Sequence, residues 1–210
     1  MLLGIFVVGL LIFLPAGTFF ERGLLLMAIL FVPMFIAGIA MMHKNPDLLK
    51  KRLNAKEKIK EQGTVVKLSG LIFILGFVVS GLTARFNHCI LPQSISYIAV
   101  AFFIFGYALY GEVIRENKYL SRTIDIQEGQ IVIDTGLYGV VRHPMYSATL
   151  IMFLSMPVVL GSVYGFLIFL AYPFVIVKRI KSEEKFLESE LKGYLEYKEK
   201  VKYRLIPFVW

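Results

Sequence analysis

Residues 147–177 read SATLIMFLSMPVVLGSVYGFLIFLAYPFVIV, a run of thirty-one residues without a charged side chain. A helix crosses the hydrocarbon core of a bilayer with about 20 apolar residues, so this run is longer than one crossing needs. Leu160-Gly161-Ser162 interrupts the run near its middle, and Pro157 comes just before the interruption. The pattern predicts two short transmembrane helices that form a hairpin.

Further apolar runs stand upstream of this hairpin, and the chain as a whole is 57% hydrophobic. Each run is long enough, or nearly so, to cross a membrane as a helix. We therefore predict an all-α integral membrane protein of about six transmembrane segments. The four upstream segments are predicted at residues 4–20, 23–42, 68–84 and 95–111.

The positive charges predict the orientation of the chain. If the N-terminus lies in the cytosol, 21 of the 23 Lys and Arg residues fall inside, and only Arg22 and Arg85 fall outside. This asymmetry favours cytosolic termini, in a cell membrane or an endoplasmic reticulum membrane. It also accounts for the net charge of +8, so a nucleic-acid partner is not expected. The basic loop at residues 43–62 is predicted to form an interfacial helix on anionic lipid headgroups.

The sequence predicts two regions of different character. Residues 1–113 hold the N-terminal transmembrane helices, and residues 114–210 combine a polar segment, the hairpin and a charged tail expected to be an amphipathic helix. Cys89 is the sole cysteine, so no intrachain disulfide can form. His43, His88 and Cys89 lie far in sequence from the clusters described below, and we expect no metal site.

One unusual cluster lies where the polar segment re-enters the membrane, at residues 136–146, which read GLYGVVRHPMY. Pro144 suits the first turn of a helix. The free N–H groups of that helix start would then lie beside His143, Tyr138 and Tyr146, where they could bind a carboxylate or a ribose. Alternatively, the basic residues anchor the helix to headgroups and the tyrosines form an interfacial belt.

A second cluster follows the last apolar run, at residues 178–184, which read KRIKSEE. Arg179 and Glu183 are four residues apart, so they share one face of a continuing helix and can point at one cavity. The alternative is an ordinary ion pair within the helix, which carries no functional information.

Together with GYLEY at 193–197 and YRLIP at 203–207, these clusters resemble the isoprenylcysteine carboxyl methyltransferase family. The resemblance covers roughly residues 117–210. It implies a membrane enzyme that uses S-adenosylmethionine. The Arg-His-Pro-x-Tyr core by itself is also shared with phospholipid methyltransferases and, more loosely, with membrane sterol reductases that use NADPH.

The resemblance also implies roles for individual residues. Arg179 matches the arginine that meets the carboxylate of the acceptor. The methyl acceptor is expected to be lipophilic or prenylated, most simply an isoprenylcysteine-like carboxylate. Alternative methyl-transfer reactions are N-methylation of a phospholipid and S-methylation of a thiol. Alternatives of another class are an NADPH-dependent reductase and a non-catalytic scaffold. The positions that match cofactor-contacting residues are Gln130, Ile131, Val132, Ile133, Tyr138, His143, Pro144, Met145, Tyr146 and Glu183.

Overall fold

A computed structural model of the chain describes residues 2–44, 60–120 and 126–210. These residues form helices and contain no β-strand, which confirms the all-α prediction for the described part. The interfacial helix predicted within residues 43–62 falls mostly outside the described residues. The helices are α1 (Leu2–Ala16), α2 (Glu21–Lys44), α3 (Lys60–Phe86), α4 (Gln93–Glu116), α5 (Pro144–Val159), α6 (Val163–Phe169), α7 (Tyr172–Glu190) and α8 (Tyr194–Lys200), with one 3₁₀ turn at Gly136–Gly139.

The described residues contain four helical stretches that are long and apolar enough to cross a membrane, which is fewer than the six segments predicted. They are Glu21–His43, Gly63–Phe86, Gln93–Glu116 and Val163–Glu190. Helices α1 and α5 are apolar but have only 15 and 16 residues. At 1.5 Å per residue they reach roughly 22–24 Å, which is less than the ~30 Å hydrocarbon core.

The hairpin breaks where the sequence predicted, but its second arm is longer than expected. Gly161 has φ +77°, which permits the reversal between α5 and α6, and the Ser162 hydroxyl accepts a hydrogen bond from the Gly165 amide at 2.9 Å as the cap of α6. Helices α6 and α7 then continue as one candidate span to Glu190, so the arm does not end at residue 177. Arg179 and Glu183 consequently lie on this arm and not on a separate tail helix.

The packing of α4 against α5 joins the two regions of the chain. A Cβ atom added to Gly106 would lie 2.5 Å from Met152 Cγ and 3.1 Å from the carbonyl oxygen of Ala148, which is itself fully buried. Small residues permit such close helix contacts in membranes. The contact belongs to a core cluster made of Ile12, Leu26, Phe77, Ala99, Phe103, Met152, Met156, Val159, Leu160 and Phe169.

The helix connections separate into two ends of the bundle. At one end, the Arg22 side chain donates to the Gln93 side chain at 2.6 Å and to the Leu91 carbonyl at 2.8 Å, and Ile90 forms a β-bridge with Ser162. We call this the opposite end; it comprises residues 17–22, 87–93 and 160–163. The cavity end comprises residues 117–120, 126–146 and 179–205.

Candidate functional site

The cavity end contains a cleft between the polar segment that follows α4 and the two C-terminal helices. It brings together both clusters predicted from the sequence. Pro144 is buried and is not among the residues that line the cleft. The lining residues are Asn117, Tyr119, Leu120, Gln130, Ile131, Val132, Ile133, Tyr138, Arg142, His143, Met145, Tyr146, Arg179, Glu183, Leu187, Leu191, Tyr194 and Tyr197.

The start of α5 is held in place by the C-terminal segment. His143 is the N-cap residue and Pro144 occupies the first turn, as the sequence predicted. The backbone N–H groups of Arg142 and His143 both donate to carbonyls of the segment at 203–204, each at 2.9 Å. The Ser147 hydroxyl donates to the Leu205 carbonyl at 2.6 Å. The N–H groups of Arg142 and His143 therefore bind the C-terminal segment and are not open to a ligand.

Glu184 is the charged centre of this end, and the sequence-based prediction did not include it. Its side chain is 4% exposed, and one carboxylate oxygen accepts from Arg142 Nε at 2.7 Å and lies 3.3 Å from His143 Nε2. The other oxygen accepts from Arg204 Nε at 2.8 Å. Arg142 also donates to the carbonyls of Val201 and Lys202. Hydrogen-bonded charges of this kind fix α5, α7 and the C-terminal segment at residues 201–205 relative to one another.

The sequence does contain a signal for Glu184. The buried residues of α7 are Tyr172, Ile176, Ile180 and Glu184, each four residues after the last. Residues four apart share one helix face, so the glutamate continues an apolar stripe that faces the core. A carboxylate in such a stripe must have partners, and the facing basic motif supplies them.

Arg179 and Glu183 lie on the face of α7 beside this stripe and meet at one hydroxyl. The Tyr146 hydroxyl accepts a hydrogen bond from Arg179 Nε at 2.7 Å and donates one to Glu183 Oε2 at 2.6 Å. The Arg179 guanidinium also lies 6.0 Å from the centre of the Tyr146 ring. Arg179 and Glu183 thus point at one cavity, as their spacing predicted, and Tyr146 of the other cluster joins them there. Tyr146 links the arginine and the glutamate and orients both.

Tyr138 forms part of the facing wall. Its hydroxyl accepts from the Asn117 side chain at 2.9 Å, and its carbonyl accepts from the Tyr197 hydroxyl at 2.7 Å. Burial raises the pKa of Tyr138 to about 12, although the hydrogen bond from Asn117 opposes the shift, so the phenol is neutral at pH 7. Hydrogen bonds to its side chain and to its backbone thus hold Tyr138 in place.

Backbone geometry positions this wall. Gly136 has φ +50°, and a Cβ atom there would overlap the Glu116 carboxylate. That carboxylate accepts from the Leu137 amide at 3.0 Å. Glycine is therefore required both for the conformation and for the space.

The stretch at residues 130–133 lines the cleft in an irregular conformation and does not form a strand. The Gln127 amide donates to the Gln130 side chain at 2.9 Å, and the Gln130 amide donates back to the Gln127 carbonyl at 3.0 Å. Val132 packs against the cluster that contains Leu191, Tyr194 and Tyr197. Residues 130–133 thus give one side of the cleft an apolar surface.

The cleft therefore has two chemically different sides. Arg179, Glu183 and Tyr146 provide charge and hydrogen bonds, whereas Val132 and Leu187 provide apolar surface. Tyr194 is one of the lining residues, and its buried hydroxyl has no hydrogen-bond partner in the part of the chain that the structure describes. Such a cleft suits a small molecule that has both a charged and an apolar part.

Comparison with known proteins points to membrane enzymes. Residues 94–192, from α4 to just beyond α7, match the sequence model of the phospholipid methyltransferase family, which is related to the isoprenylcysteine carboxyl methyltransferases. The chain is also similar to the Delta(14)-sterol reductase TM7SF2 of Mus musculus, with 33% identity over 91 residues. That match covers 42% of this chain and 22% of the reductase, so the chain spans only about a fifth of its curated relative. The family match covers the polar segment and α7, which line most of the cleft, but not α8, and it supports a membrane methyltransferase.

Proposed function

We propose that the protein is an S-adenosylmethionine-dependent methyltransferase that acts on a lipophilic acceptor. The single observation that carries this proposal is the convergence of Tyr146, Arg179 and Glu183 on a cleft with an apolar side. The family match to residues 94–192 contains all three residues. The cleft is lined by residues of the candidate span Val163–Glu190 and by the segment that follows the candidate span Gln93–Glu116, which supports a position near a bilayer, where a lipophilic acceptor would be concentrated.

The residues present fit this cofactor. S-adenosylmethionine combines a flat aromatic purine, a cationic sulfonium and a charged amino-acid end. Val132, Leu187 and Leu191 offer apolar contact to the purine, and the Glu183 carboxylate offers a partner for an ammonium group. The faces of the tyrosine rings that line the cleft can attract the sulfonium by cation–π interaction.

When bound, S-adenosylmethionine supplies a methyl group that a nucleophile can take by direct displacement from sulfur. A carboxylate acceptor is ionised at pH 7, so it forms the new oxygen–carbon bond without a general base, and the electron pair of the broken bond remains on sulfur. The task left for the protein is alignment and exclusion of water. Arg179 would hold and orient the carboxylate, because its planar guanidinium carries several fixed donors and its Nε is already anchored on Tyr146.

A reductase that uses NADPH is the second candidate, and the similarity to the mouse sterol reductase favours it. Recognition of NADPH requires cations for its phosphates. Among the described lining residues the arginines are Arg142 and Arg179, and Arg142 is paired with buried Glu184. The cleft therefore supports this function less well than it supports methyl transfer.

The acceptor class can be tested by the chemistry of the product. Purified protein in lipid vesicles would be incubated with S-adenosylmethionine labelled in the methyl group and with a farnesylcysteine derivative, a phosphatidylethanolamine or a lipophilic thiol. A carboxyl methyl ester releases labelled methanol in alkali, whereas an N-methyl or S-methyl product keeps its label. We expect alkali-labile label with farnesylcysteine only. Stable label in lipid or thiol would overturn the carboxylate acceptor but keep methyl transfer, and no incorporation into any acceptor would count against both.

A further inference from the structure

The Tyr194 hydroxyl is the feature that the proposed roles leave unexplained. Tyr194 is 4% exposed and lines the cleft, yet its hydroxyl has no hydrogen-bond partner among residues 2–44, 60–120 and 126–210. A buried hydroxyl without a partner loses the hydrogen bonds that it makes to water in the unfolded chain. Natural proteins leave few such groups, and each one calls for an explanation.

The neighbouring residue Tyr197 shows that the fold can supply a hydrogen-bond partner for a hydroxyl at this place. The two tyrosines lie three residues apart on α8, and their ring centres are 5.8 Å apart. The Tyr197 hydroxyl donates to the Tyr138 carbonyl at 2.7 Å. The buried hydroxyl of Tyr194 is left without such a bond although the residue lines the same cleft, which points to a ligand as its partner.

The charges around Tyr194 indicate what kind of group would bind there. Burial raises the pKa of Tyr194, the carboxylates of Glu184 and Glu183 raise it further, and Arg142 opposes them. The phenol is therefore neutral, and its oxygen can accept a hydrogen bond. Glu184 is neutralised by Arg142 and Arg204, whereas Glu183 lines the cleft. A cationic donor in this part of the cleft would have two acceptors, the Glu183 carboxylate and the Tyr194 oxygen.

We infer that the Tyr194 hydroxyl binds the amino-acid end of the cofactor and accepts a hydrogen bond from the α-ammonium group whose charge Glu183 balances. An ammonium group has three donors and no acceptor, so it needs several acceptors when it leaves water. This inference rests on the proposed function, and it adds a binding residue for which neither cluster in the sequence gave a signal.

The test compares Tyr194→Phe with Tyr197→Phe, because each change removes one hydroxyl from the same short helix. Calorimetry would measure the affinity of each variant and of the unaltered protein for S-adenosylhomocysteine and for its analogue in which hydrogen replaces the α-amino group. Tyr194→Phe should weaken binding of S-adenosylhomocysteine about tenfold, the size expected for a hydrogen bond to a charged group, and leave affinity for the analogue unchanged. Thermal unfolding without ligand should be unchanged or slightly later in Tyr194→Phe and earlier in Tyr197→Phe.

The outcomes separate this inference from the proposed function. If the unaltered protein binds S-adenosylhomocysteine and Tyr194→Phe binds it equally well, the inference is wrong and the proposed function stands. If Tyr194→Phe weakens binding of both ligands equally, the hydroxyl contacts the nucleoside part of the ligand, and the contact with the ammonium group is overturned. Earlier unfolding of ligand-free Tyr194→Phe would make the hydroxyl a structural group. No binding by the unaltered protein would overturn both.

Discussion

The two ends of the helix bundle use polar residues in different ways. At the opposite end, Arg22 is tied to a side chain and a carbonyl of the loop before α4, and the hydroxyls of Thr83 and Ser162 bond to each other at 2.9 Å. These contacts join helices and loops. At the cavity end, Arg142 and Glu184 are buried as charges, and they support a cleft lined by further charged residues. Burial of charge is costly, so the cavity end is where function should be sought.

The largest expected effect follows from removal of the buried carboxylate at the cavity end. Glu184→Ala leaves Arg142 buried without its ion pair, which should cost roughly 3–5 kcal/mol of stability. Thermal unfolding in detergent would measure the loss. The matched control is Glu188→Gln, one turn further along α7, whose pair with Lys198 is about one-third exposed on each side and should contribute about 0–1 kcal/mol. Equal effects of the two changes would show that Glu184 does not hold this end together.

The next effect separates two roles within the cleft. Arg179→Ala should abolish detectable methyl transfer, because we propose that Arg179 holds the methyl acceptor. The affinity for S-adenosylhomocysteine should stay within a few-fold of that of the unaltered protein. Glu183→Ala should weaken that affinity about 10- to 100-fold, because the ammonium group of the cofactor loses a charged hydrogen-bond acceptor. Calorimetry and the labelled-methyl assay would measure both quantities. Comparable loss of cofactor affinity in the two variants would refute the division, and their shared contact with Tyr146 would be the physical reason.

A smaller effect tests the wall that faces α7. Gly136→Ala introduces a Cβ atom where the Glu116 carboxylate lies, at a residue with φ +50°. We expect a loss of about 1–3 kcal/mol, and a reduced affinity for S-adenosylhomocysteine because the Tyr138 wall would shift. Gly129→Ala is the control, since Gly129 has φ +68° but open space around it. If both variants lose the same stability and retain equal affinity, the contact with Glu116 does not position the wall.

The helical class and the shared face of Arg179 and Glu183 were predictable because both depend on local patterns, whereas the meeting of the two clusters was expected from the family resemblance. Apolar runs, the Gly161 break and the four-residue spacing of Arg179 and Glu183 all act over one or a few helical turns. The hairpin was predicted to end at residue 177, where charged residues begin, and the continuing helix was considered only for Arg179 and Glu183; in the structure it extends to Glu190. In the structure Arg179 and Glu183 line the cleft, and Glu184 pairs with Arg142 and Arg204, so the helix continues through these charges.

Other features depend on contacts between distant parts of the chain. Glu184 pairs with Arg142 and Arg204, which are 42 and 20 residues away, so its partners could not be read from its own helix. The unpartnered hydroxyl of Tyr194 is likewise visible only when all its neighbours are placed. The membrane orientation predicted from the positive charges remains a prediction.

The central claim is that the cleft at the cavity end is built for S-adenosylmethionine and not for a nicotinamide cofactor. The most direct test is a calorimetric titration of the purified protein in detergent, first with S-adenosylhomocysteine and then with NADPH. We predict saturable binding of one S-adenosylhomocysteine per chain and no measurable heat of binding with NADPH. Saturable binding of NADPH without binding of S-adenosylhomocysteine would contradict the account and favour a reductase, and binding of neither would leave the cleft without the proposed function.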